Sequence, residues 1–488
     1  MVTSWMKRNP ALTVCLVFLF SVCVRLVTAE YVDIGGDNVW RWTSALDVIQ
    51  GVGFPEWTHH NMRWSVMAPL WLSMKVFGTG PATYYVSPIF FASLGATLIF
   101  LIGRRLHSVE CGIVAALLVI FLPQMPQTGS QNWPSVFQFT YIAVSIWAIL
   151  KRHEEKKEWL LALAALAFVF AWGARLTALY YFPGLLLMVW LPRRDYKGAF
   201  IFCLAVGVFL GCEWLYFWQD TGNIFGRIGI IKTATLAIDG TPLVDYLLNG
   251  FKLTRLRGLM PVYIIIVFAC IALLRSRSRE KKSLALFYLI FIFMFSYMVS
   301  GFDPIRLAQD LSRRYWCMVA PFGLLILAIA LYDAKDSYPR FAKGVLMILL
   351  VVFIAFSAKK IPAGNALIQV EKDHAVLTPV FEARQPILLK WQPWQPNWIE
   401  SMMFKVAGVK KSKKPDLHSV LDAMVRGGHR ALGLYSPTSR DFYTFKRSWF
   451  TQLDDLTYRL DFPDGDPNAE PAAVIDFDRR WASAKRLP

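Results

Sequence analysis

The sequence predicts a polytopic α-helical membrane protein with about eleven transmembrane helices. Of its 488 residues 56% are hydrophobic and 18% are charged, and the hydrophobic residues are concentrated in runs of near-bilayer length. A hydrocarbon core about 30 Å thick takes roughly 20 apolar residues as a helix. Unsatisfied backbone groups cost too much in lipid for these runs to be anything but helical. The connectors between the runs alternate in their content of Lys and Arg.

Each run is a predicted span, and the spans follow one another along most of the chain. Their approximate limits are 10–28, 84–103, 110–123, 134–150, 159–173, 176–191, 199–217, 259–274, 284–300, 315–332 and 342–358.

The alternation of basic connectors predicts which side of the membrane each loop occupies. Lys7-Arg8, Arg104-Arg105, Arg193-Arg194 and Lys281-Lys282 all fall in one set of connectors. By the positive-inside rule this set is cytoplasmic, as is the amino terminus. The assignment requires two helices within 159–190, with a turn at Gly173-Ala174-Arg175. Because this rule also explains the net charge of +18, we expect no nucleic-acid partner.

The first run resembles a signal peptide, but no small-residue cleavage site is obvious before Arg25, so we expect an uncleaved first span. The seven cysteines lie within or at the edges of the apolar runs, and no CxxC spacing occurs. The sequence therefore supports neither a disulfide framework nor a zinc site.

Two domains are predicted. Residues 1–358 form the membrane domain, which includes a long outer loop at 29–83. Residues 359–488 are polar and rich in Pro and Trp, and contain no apolar run of span length. A helical pattern at 417–426 and a strand pattern at 431–435 predict a small α/β domain on the outer face.

The outer loop contains the acids that follow the first span. Asp33 and Asp37 flank Gly35-Gly36, and two glycines allow another backbone or a ligand to approach closely. A single Asp at the membrane interface is usually a solvated residue at the end of a helix. The two glycines beside Asp37 are the observation that favours a functional site. Apolar residues then recur at near-helical spacing, which predicts an amphipathic helix on the membrane surface: Trp40, Trp42, Leu46 and Ile49.

His59 and His60 lie near these acids in the same loop. Adjacent histidines lack the i, i+4 spacing of a helical metal site, so a divalent metal is not favoured. Hydrogen bonding to a substrate, or simple loop polarity, explains the pair better.

Cations on the same side form the second group of candidates. Arg matches phosphate oxygens with two parallel hydrogen bonds, so several of them at span ends suit a lipid phosphate. The competing explanation is snorkelling to lipid headgroups. Arg63, Arg313 and Arg314 are the favoured phosphate ligands. The other outer cations are Arg175, Arg227, Lys232, Arg255, Arg257 and Arg306.

The order of these motifs resembles the GT-C superfamily of membrane glycosyltransferases, in the protein mannosyltransferase and aminoarabinose lipid A transferase group. Asp37-Asn38 occupies the place of the family's acidic pair after the first span. Met67-Ala68-Pro69-Leu70-Trp71 is similar to its later Pro-Leu element. Arg313-Arg314-Tyr315 resembles the Arg-Tyr segment that opens a late span. The resemblance covers roughly residues 10–358.

Two departures from the family pattern bear on metal binding. The second acid is Asn38, and Gln131-Asn132-Trp133-Pro134 stands where several relatives have an acid before Pro. Both changes remove the carboxylate oxygens that hard cations prefer. We therefore expect no cofactor and do not favour a divalent metal.

The resemblance implies transfer of a sugar from a polyprenyl-phosphate donor to a glycan, lipid or protein acceptor on the outer face, with inversion. Asp37 is then the general base and Asp33 an auxiliary. Arg63, Arg313 and Arg314 are phosphate ligands, Tyr315 adjoins them, and His59 and His60 contact acceptor or phosphate. Tyr315 and Arg227 are further substrate contacts, and Arg227 lies in a segment at 218–258 that would act as a mobile flap over the donor.

Two alternatives remain open from the sequence. A glycan ligase or polymerase with a lipid-linked donor would also use outer arginines. A secondary transporter would place ionisable residues near the membrane midplane, where Glu213 is the notable candidate. The expected location is an inner (plasma) membrane, surrounded by its lipids.

Overall fold

The computed structural model describes most of the membrane part and separate stretches of the carboxyl-terminal part. The described residues are 6, 8–30, 37–49, 51, 57–80, 82–233, 260–302, 305–307, 315–334, 339–358, 368, 371–372, 375–376, 379–380, 383–391, 450–453, 457–461, 465–466, 468–477 and 482–486.

Helices dominate this part of the chain. In order they are α1 (Pro10–Val27), α2 (Asp37–Ile49), α3 (Trp64–Phe77), α4 (Thr83–Leu106), α5 (Val109–Ile120), α6 (Met125–Thr128), α7 (Pro134–Glu155), α8 (Trp159–Ala174), a 3₁₀ helix (Leu176–Tyr181), α9 (Phe182–Trp190), α10 (Tyr196–Thr221), α11 (Gly226–Thr233), α12 (Met260–Arg275), α13 (Arg279–Tyr297), α14 (Trp316–Ala334) and α15 (Pro339–Ala358).

Local signals in the connectors explain several helix ends. The Ser108 hydroxyl and the Asp195 carboxylate accept hydrogen bonds from backbone N–H groups in the first turns of α5 and α10. Such caps satisfy donors that have no partner within the helix. Lys156, with φ of 58°, ends α7 in the left-handed region.

A helix occurs at every predicted span. Among the described residues, five helices are long and apolar enough to cross a membrane: Pro10–Val27, Thr83–Leu106, Tyr196–Thr221, Cys317–Ala334 and Arg340–Ala358. The chain is therefore a helical membrane protein. The predicted turn is also present, because α8 ends at Ala174 and Arg175 has extended backbone dihedrals of −155° and 137°. That all eleven helices cross remains a prediction.

The chain divides into two compact units. The first comprises residues 1–28, 54–69 and 87–360, and the second comprises 29–53, 70–86 and 361–488. This division differs from the predicted boundary after residue 358, because much of the outer loop groups with the carboxyl-terminal segment.

The core of the first unit is a packed helical bundle in which α7 lies along α8 and α14 packs against α5 and α12. Aromatic rings fill its centre. Tyr181 stacks on Phe291 with ring centroids 3.7 Å apart, and Phe322 meets Phe139 edge-on at 5.5 Å. The Tyr181 hydroxyl donates to the Met318 carbonyl at 2.7 Å. The first unit also includes a two-stranded antiparallel ribbon, β1 (Val299–Phe302) with β2 (Ile305–Leu307).

The second unit contains a five-stranded mixed sheet with the order β4-β5-β3-β6-β7. Its strands are β3 (Ile387–Trp391), β4 (Phe450–Gln452), β5 (Thr457–Leu460), β6 (Ala473–Phe477) and β7 (Ala482–Arg486). Among these described strands β3 and β6 pair in parallel, and the other neighbouring strands pair antiparallel. The predicted helix at 417–426 and strand at 431–435 lie outside the described residues.

Candidate active site

Helix α2, in the second unit, begins at Asp37, the predicted base. The first turn of a helix favours negative charge because its N–H groups lack intrahelical partners. One residue later, Asn38 is buried and its Oδ1 accepts a hydrogen bond of 2.8 Å from Nη1 of buried Arg41. Trp42 is buried and packs against the Tyr84 ring at 5.6 Å. The predicted helix is present, and it carries a buried cation one turn after Asp37.

The segment from Trp57 to Arg63, in the first unit, is a compact polar turn. The backbone N–H of Thr58 donates to Asn61 Oδ1 at 2.7 Å, and Arg63 Nε donates to the His59 carbonyl at 3.0 Å. The His59 and His60 rings lie 3.7 Å apart, at 41° to one another. Three predicted substrate ligands, His59, His60 and Arg63, are thus held within one turn of chain.

Several elements meet at the carboxyl end of α8, from Trp172 to Arg175, which we call the α8 corner. Arg227 of α11 donates from Nη2 to the carbonyls of Trp172 and Gly173 at 2.7 and 2.9 Å. Its Nε donates to the Met62 carbonyl at 3.1 Å. Gly173 is required by this packing, because a Cβ there would lie 2.5 Å from the Trp64 ring.

Glu213 of α10 completes the arrangement around Arg227. Its Oε1 accepts from Arg227 Nη1 at 2.9 Å and from Trp64 Nε1 at 2.7 Å. Its Oε2 accepts from Trp172 Nε1 at 2.6 Å. Both charged side chains are almost completely buried. Burial lowers the pKa of the Arg227 guanidinium, and the charge of the nearby Glu213 carboxylate opposes that shift.

These contacts change the interpretation of Arg227 and of Glu213. Four of the five N–H groups of Arg227 are directed at protein oxygens, so its geometry suits a structural cation and not the predicted donor contact. The Glu213 carboxylate receives three donors, a poor arrangement for the proton carrier that a transporter would need.

Arg175 and Tyr315 meet at the last residue of the α8 corner. The Arg175 guanidinium lies over the Tyr315 ring, 4.2 Å from its centroid, and its Nη1 donates to the Ser135 hydroxyl at 3.1 Å. Tyr315 is buried. Tyr315, a predicted substrate contact, therefore lies against Arg175. Arg175 is one of the outer cations that the sequence favoured less as a phosphate ligand.

A buried polar segment precedes α7. Its members Thr128, Ser130, Gln131 and Asn132 are at most 2% exposed. The Thr128 hydroxyl donates to the Gln124 carbonyl at 2.8 Å, and the Ser130 hydroxyl donates to the Pro126 carbonyl. A connector of this composition is expected to face water, so its burial is a feature that only the structure reveals.

Three predicted site residues, Asp33, Arg313 and Arg314, lie outside the described residues, as does the side chain of Asp37. Within the described part, no three His, Cys, Asp or Glu residues are grouped as metal ligands. The expectation about metal remains a prediction.

No site role was predicted for Arg25, Arg41, Trp64 or Trp172. A signal for Arg25 existed, because an ionisable residue within an apolar span usually faces the bundle interior. Arg41 also had one, since Asn38 and Arg41 have the i, i+3 spacing at which helical side chains meet. The tryptophans had no such signal.

One protein family matches part of the chain. Residues 66–217, from α3 to near the end of α10, match the model of the family described as dolichyl-phosphate-mannose-protein mannosyltransferase. A comparison with curated proteins found no match.

Solved structures of two kinds of protein are similar to this one. An oligosaccharyltransferase of Archaeoglobus fulgidus, in complex with Zn and sulfate, matches with a TM-score of 0.47 and 12% identity, covering 76% of this chain and 55% of that chain. ArnT of Cupriavidus metallidurans bound to undecaprenyl phosphate has a TM-score of 0.47 and 12% identity, covering 98% of this chain and 93% of that chain. This chain thus spans little more than half the length of the archaeal relative. The family match confirms, over residues 66–217, the resemblance to the protein mannosyltransferase group of the GT-C superfamily.

Proposed function

We propose that this protein is a glycosyltransferase that moves a hexosyl or pentosyl group from a polyprenyl-phosphate donor to an acceptor on the outer face of the membrane. The observation that carries the proposal is the family match over residues 66–217, because the family's description names a sugar on a polyprenyl phosphate. In this proposal the helices at all eleven predicted spans cross an inner membrane, with the amino terminus in the cytoplasm and residues 359–488 outside.

The proposed reaction needs a base and a set of cations. The acceptor oxygen attacks the anomeric carbon, the bond from that carbon to the phosphate oxygen breaks, and the acceptor proton passes to Asp37. One carboxylate at hydrogen-bond distance is sufficient for this proton transfer. Attack from the face opposite the phosphate inverts the anomeric carbon.

Cations stabilise the negative charge that remains on the departing phosphate. We propose Arg63, Arg313 and Arg314 for this role, with Tyr315 and the two histidines nearby. The turn that holds His59, His60 and Arg63 supports the proposal, because it presents three polar side chains within five residues. Arg227 is left out of this set, since its contacts are with Glu213 and backbone carbonyls.

The test is a transfer assay with purified protein in lipid nanodiscs. Undecaprenyl phosphate carrying mannose or a pentose is the donor, a mixed glycolipid extract is the acceptor, and released undecaprenyl phosphate is measured. Asp37→Asn is expected to lower turnover by roughly 10²–10⁴-fold, the usual contribution of a general base. Asp47→Asn, on the same helix, is the matched control and is expected to leave turnover unchanged.

The outcomes separate the alternatives. Full activity of Asp37→Asn would remove it as the base and favour a ligase or polymerase, in which that acid is incidental. Solute uptake without any release of undecaprenyl phosphate would favour a transporter. We expect turnover to persist in EDTA, and its loss on chelation would require a metal in the site.

A further inference from the structure

The first helix buries only polar side chains. Within α1 the buried residues are Thr13, Ser21 and Arg25, whereas Leu12, Leu16 and Leu19 are exposed. Ser21 and Arg25 are one turn apart, so they share a face. Polar residues of membrane helices that face the bundle in this way commonly mark a ligand or ion site.

Arg25 is buried, and no partner for its guanidinium lies among the described residues. It is 1% exposed, and neither Nη1 nor Nη2 has a hydrogen-bond partner in the part of the chain that the structure describes. The Ser21 hydroxyl is likewise buried and unbonded among those residues. Thr13, on the same face, differs because its hydroxyl donates to the Asn9 carbonyl at 3.0 Å.

The surroundings of Arg25 exclude snorkelling. An arginine that snorkels exposes its head to water or lipid headgroups, but this guanidinium is covered by protein. Its Cδ lies 3.3 Å from where a Cβ on Gly129 would be, and Ala92 Cβ lies 3.1 Å from that same point. Gly129 belongs to the buried polar segment that precedes α7. The absence of a side chain at 129 leaves room for the arginine stem.

A buried guanidinium without a partner is a large electrostatic penalty unless an anion compensates it. We propose that Arg25 binds the phosphate group of the lipid donor, with the Ser21 hydroxyl as a second donor. Guanidinium matches phosphate oxygens with two parallel hydrogen bonds, and burial strengthens that contact because water is excluded. The assignment rests on the proposed function, and it adds a phosphate ligand from the first span.

The experiment measures binding and stability separately in detergent-solubilised full-length protein. Undecaprenyl phosphate, inorganic phosphate and phosphatidylglycerol are each titrated against the wild type, Arg25→Met, Arg25→Lys and Arg275→Met. Arg275 is the matched control, because it also lies in the last turn of an apolar helix but is exposed. Affinity is read from tryptophan fluorescence, and the unfolding temperature is recorded with and without each ligand.

For undecaprenyl phosphate, we expect Arg25→Met to bind at least about tenfold more weakly than the wild type, which corresponds to the loss of one charged hydrogen bond. Arg25→Lys should fall between them, and Arg275→Met should match the wild type. Without ligand, Arg25→Met should unfold at the same temperature as the wild type or higher, since it loses an uncompensated charge.

Other outcomes overturn the assignment in distinguishable ways. A lower unfolding temperature of ligand-free Arg25→Met would mean that another group of this chain compensates the charge of Arg25. If Arg25→Met lost affinity for phosphatidylglycerol to the same extent, the ligand would be a phospholipid headgroup. If it lost affinity for inorganic phosphate alone, the site would bind a free anion. If Arg25→Met bound undecaprenyl phosphate as tightly as the wild type, Arg25 would not be a phosphate ligand, and the proposed function would be unaffected. A wild type that binds no undecaprenyl phosphate would instead defeat the proposed function.

Discussion

Two buried arginines of the first unit, Arg227 at the α8 corner and Arg25 in the first helix, have opposite environments. Arg227 is 3% exposed and meets a carboxylate and three backbone carbonyls. Arg25 is 1% exposed, and both its terminal nitrogens lack partners in the described part of the chain. The two arginines are buried to a similar extent, but only the charge of Arg227 is compensated by a carboxylate among the described residues.

The number of protein partners therefore distinguishes a buried cation with a structural role from one that binds a ligand. A guanidinium saturated by its own protein has few donors left for a ligand, and removing it leaves its carboxylate unpaired. A guanidinium buried without compensation adds nothing to the stability of the ligand-free protein, so its presence at a buried position favours a function in binding. Burial alone would have assigned the two residues the same role.

The largest expected effect is at the compensated site. Arg227→Met should lower the free energy of unfolding by about 3–5 kcal/mol, because Glu213 is left charged and buried without its partner. Denaturant unfolding in detergent, followed by circular dichroism, measures the loss, with Arg275→Met as the exposed control. The double variant Glu213→Gln with Arg227→Met should lose less than the sum of the two single variants. Strict additivity would contradict the ion pair.

Gly173→Ala should have the next largest effect. Its Cβ would lie 2.5 Å from a ring carbon of Trp64, which is held in place by Glu213. Overpacking of this kind typically costs 1–3 kcal/mol. The matched control is Gly207→Ala in α10, where a Cβ has open space, and there we expect unchanged or slightly raised stability. An equal loss in both variants would indicate a general glycine effect and not a crowded corner.

The smallest effect is expected at a third arginine, Arg152, whose pair with Asp195 is partly exposed. The Asp195 side chain is 16% exposed and that of Arg152 is 9% exposed. Asp195→Asn keeps an oxygen for the Gly198 N–H but removes the charge, so the loss should be on the order of 1 kcal/mol or less.

This last effect also depends on pH. Burial raises the pKa of Asp195, but the Gly198 N–H and Arg152 outweigh it, and the net pKa lies below the usual 3.8. Because the folded pKa is the lower one, the stabilisation is present above pH 3.8 and is lost as pH falls through the folded value. The difference in unfolding free energy between wild type and Asp195→Asn should therefore be smaller at pH 3 than at pH 7. A constant difference would exclude the carboxylate as its source.

Much of the helical framework was predictable because hydropathy is a local property. The runs at 10–28 and 199–217 correspond to α1 and α10, and even the break at Arg175 was anticipated from a short glycine-containing turn. Lipid permits no other arrangement for such runs, so composition alone predicts them well.

The candidate site was less predictable. The three predicted ligands at 59, 60 and 63 lie in one turn, as their proximity in sequence implies. The pairing of Arg227 with Glu213 was not foreseen, although the two are only 14 residues apart. Trp64 meets the same carboxylate across 149 residues. No pattern in the sequence specifies an approach over that distance.

Hydropathy along the chain was enough to predict a helical membrane protein, the positions of its helices and the residues that are candidates for chemistry. The length of an apolar run depends only on neighbouring residues and on the lipid. Which buried cations are neutralised could be seen only once the helices were packed together. An ion pair in a low-dielectric interior depends on atoms brought within 3–4 Å by helix packing, and that distance is a property of the whole fold.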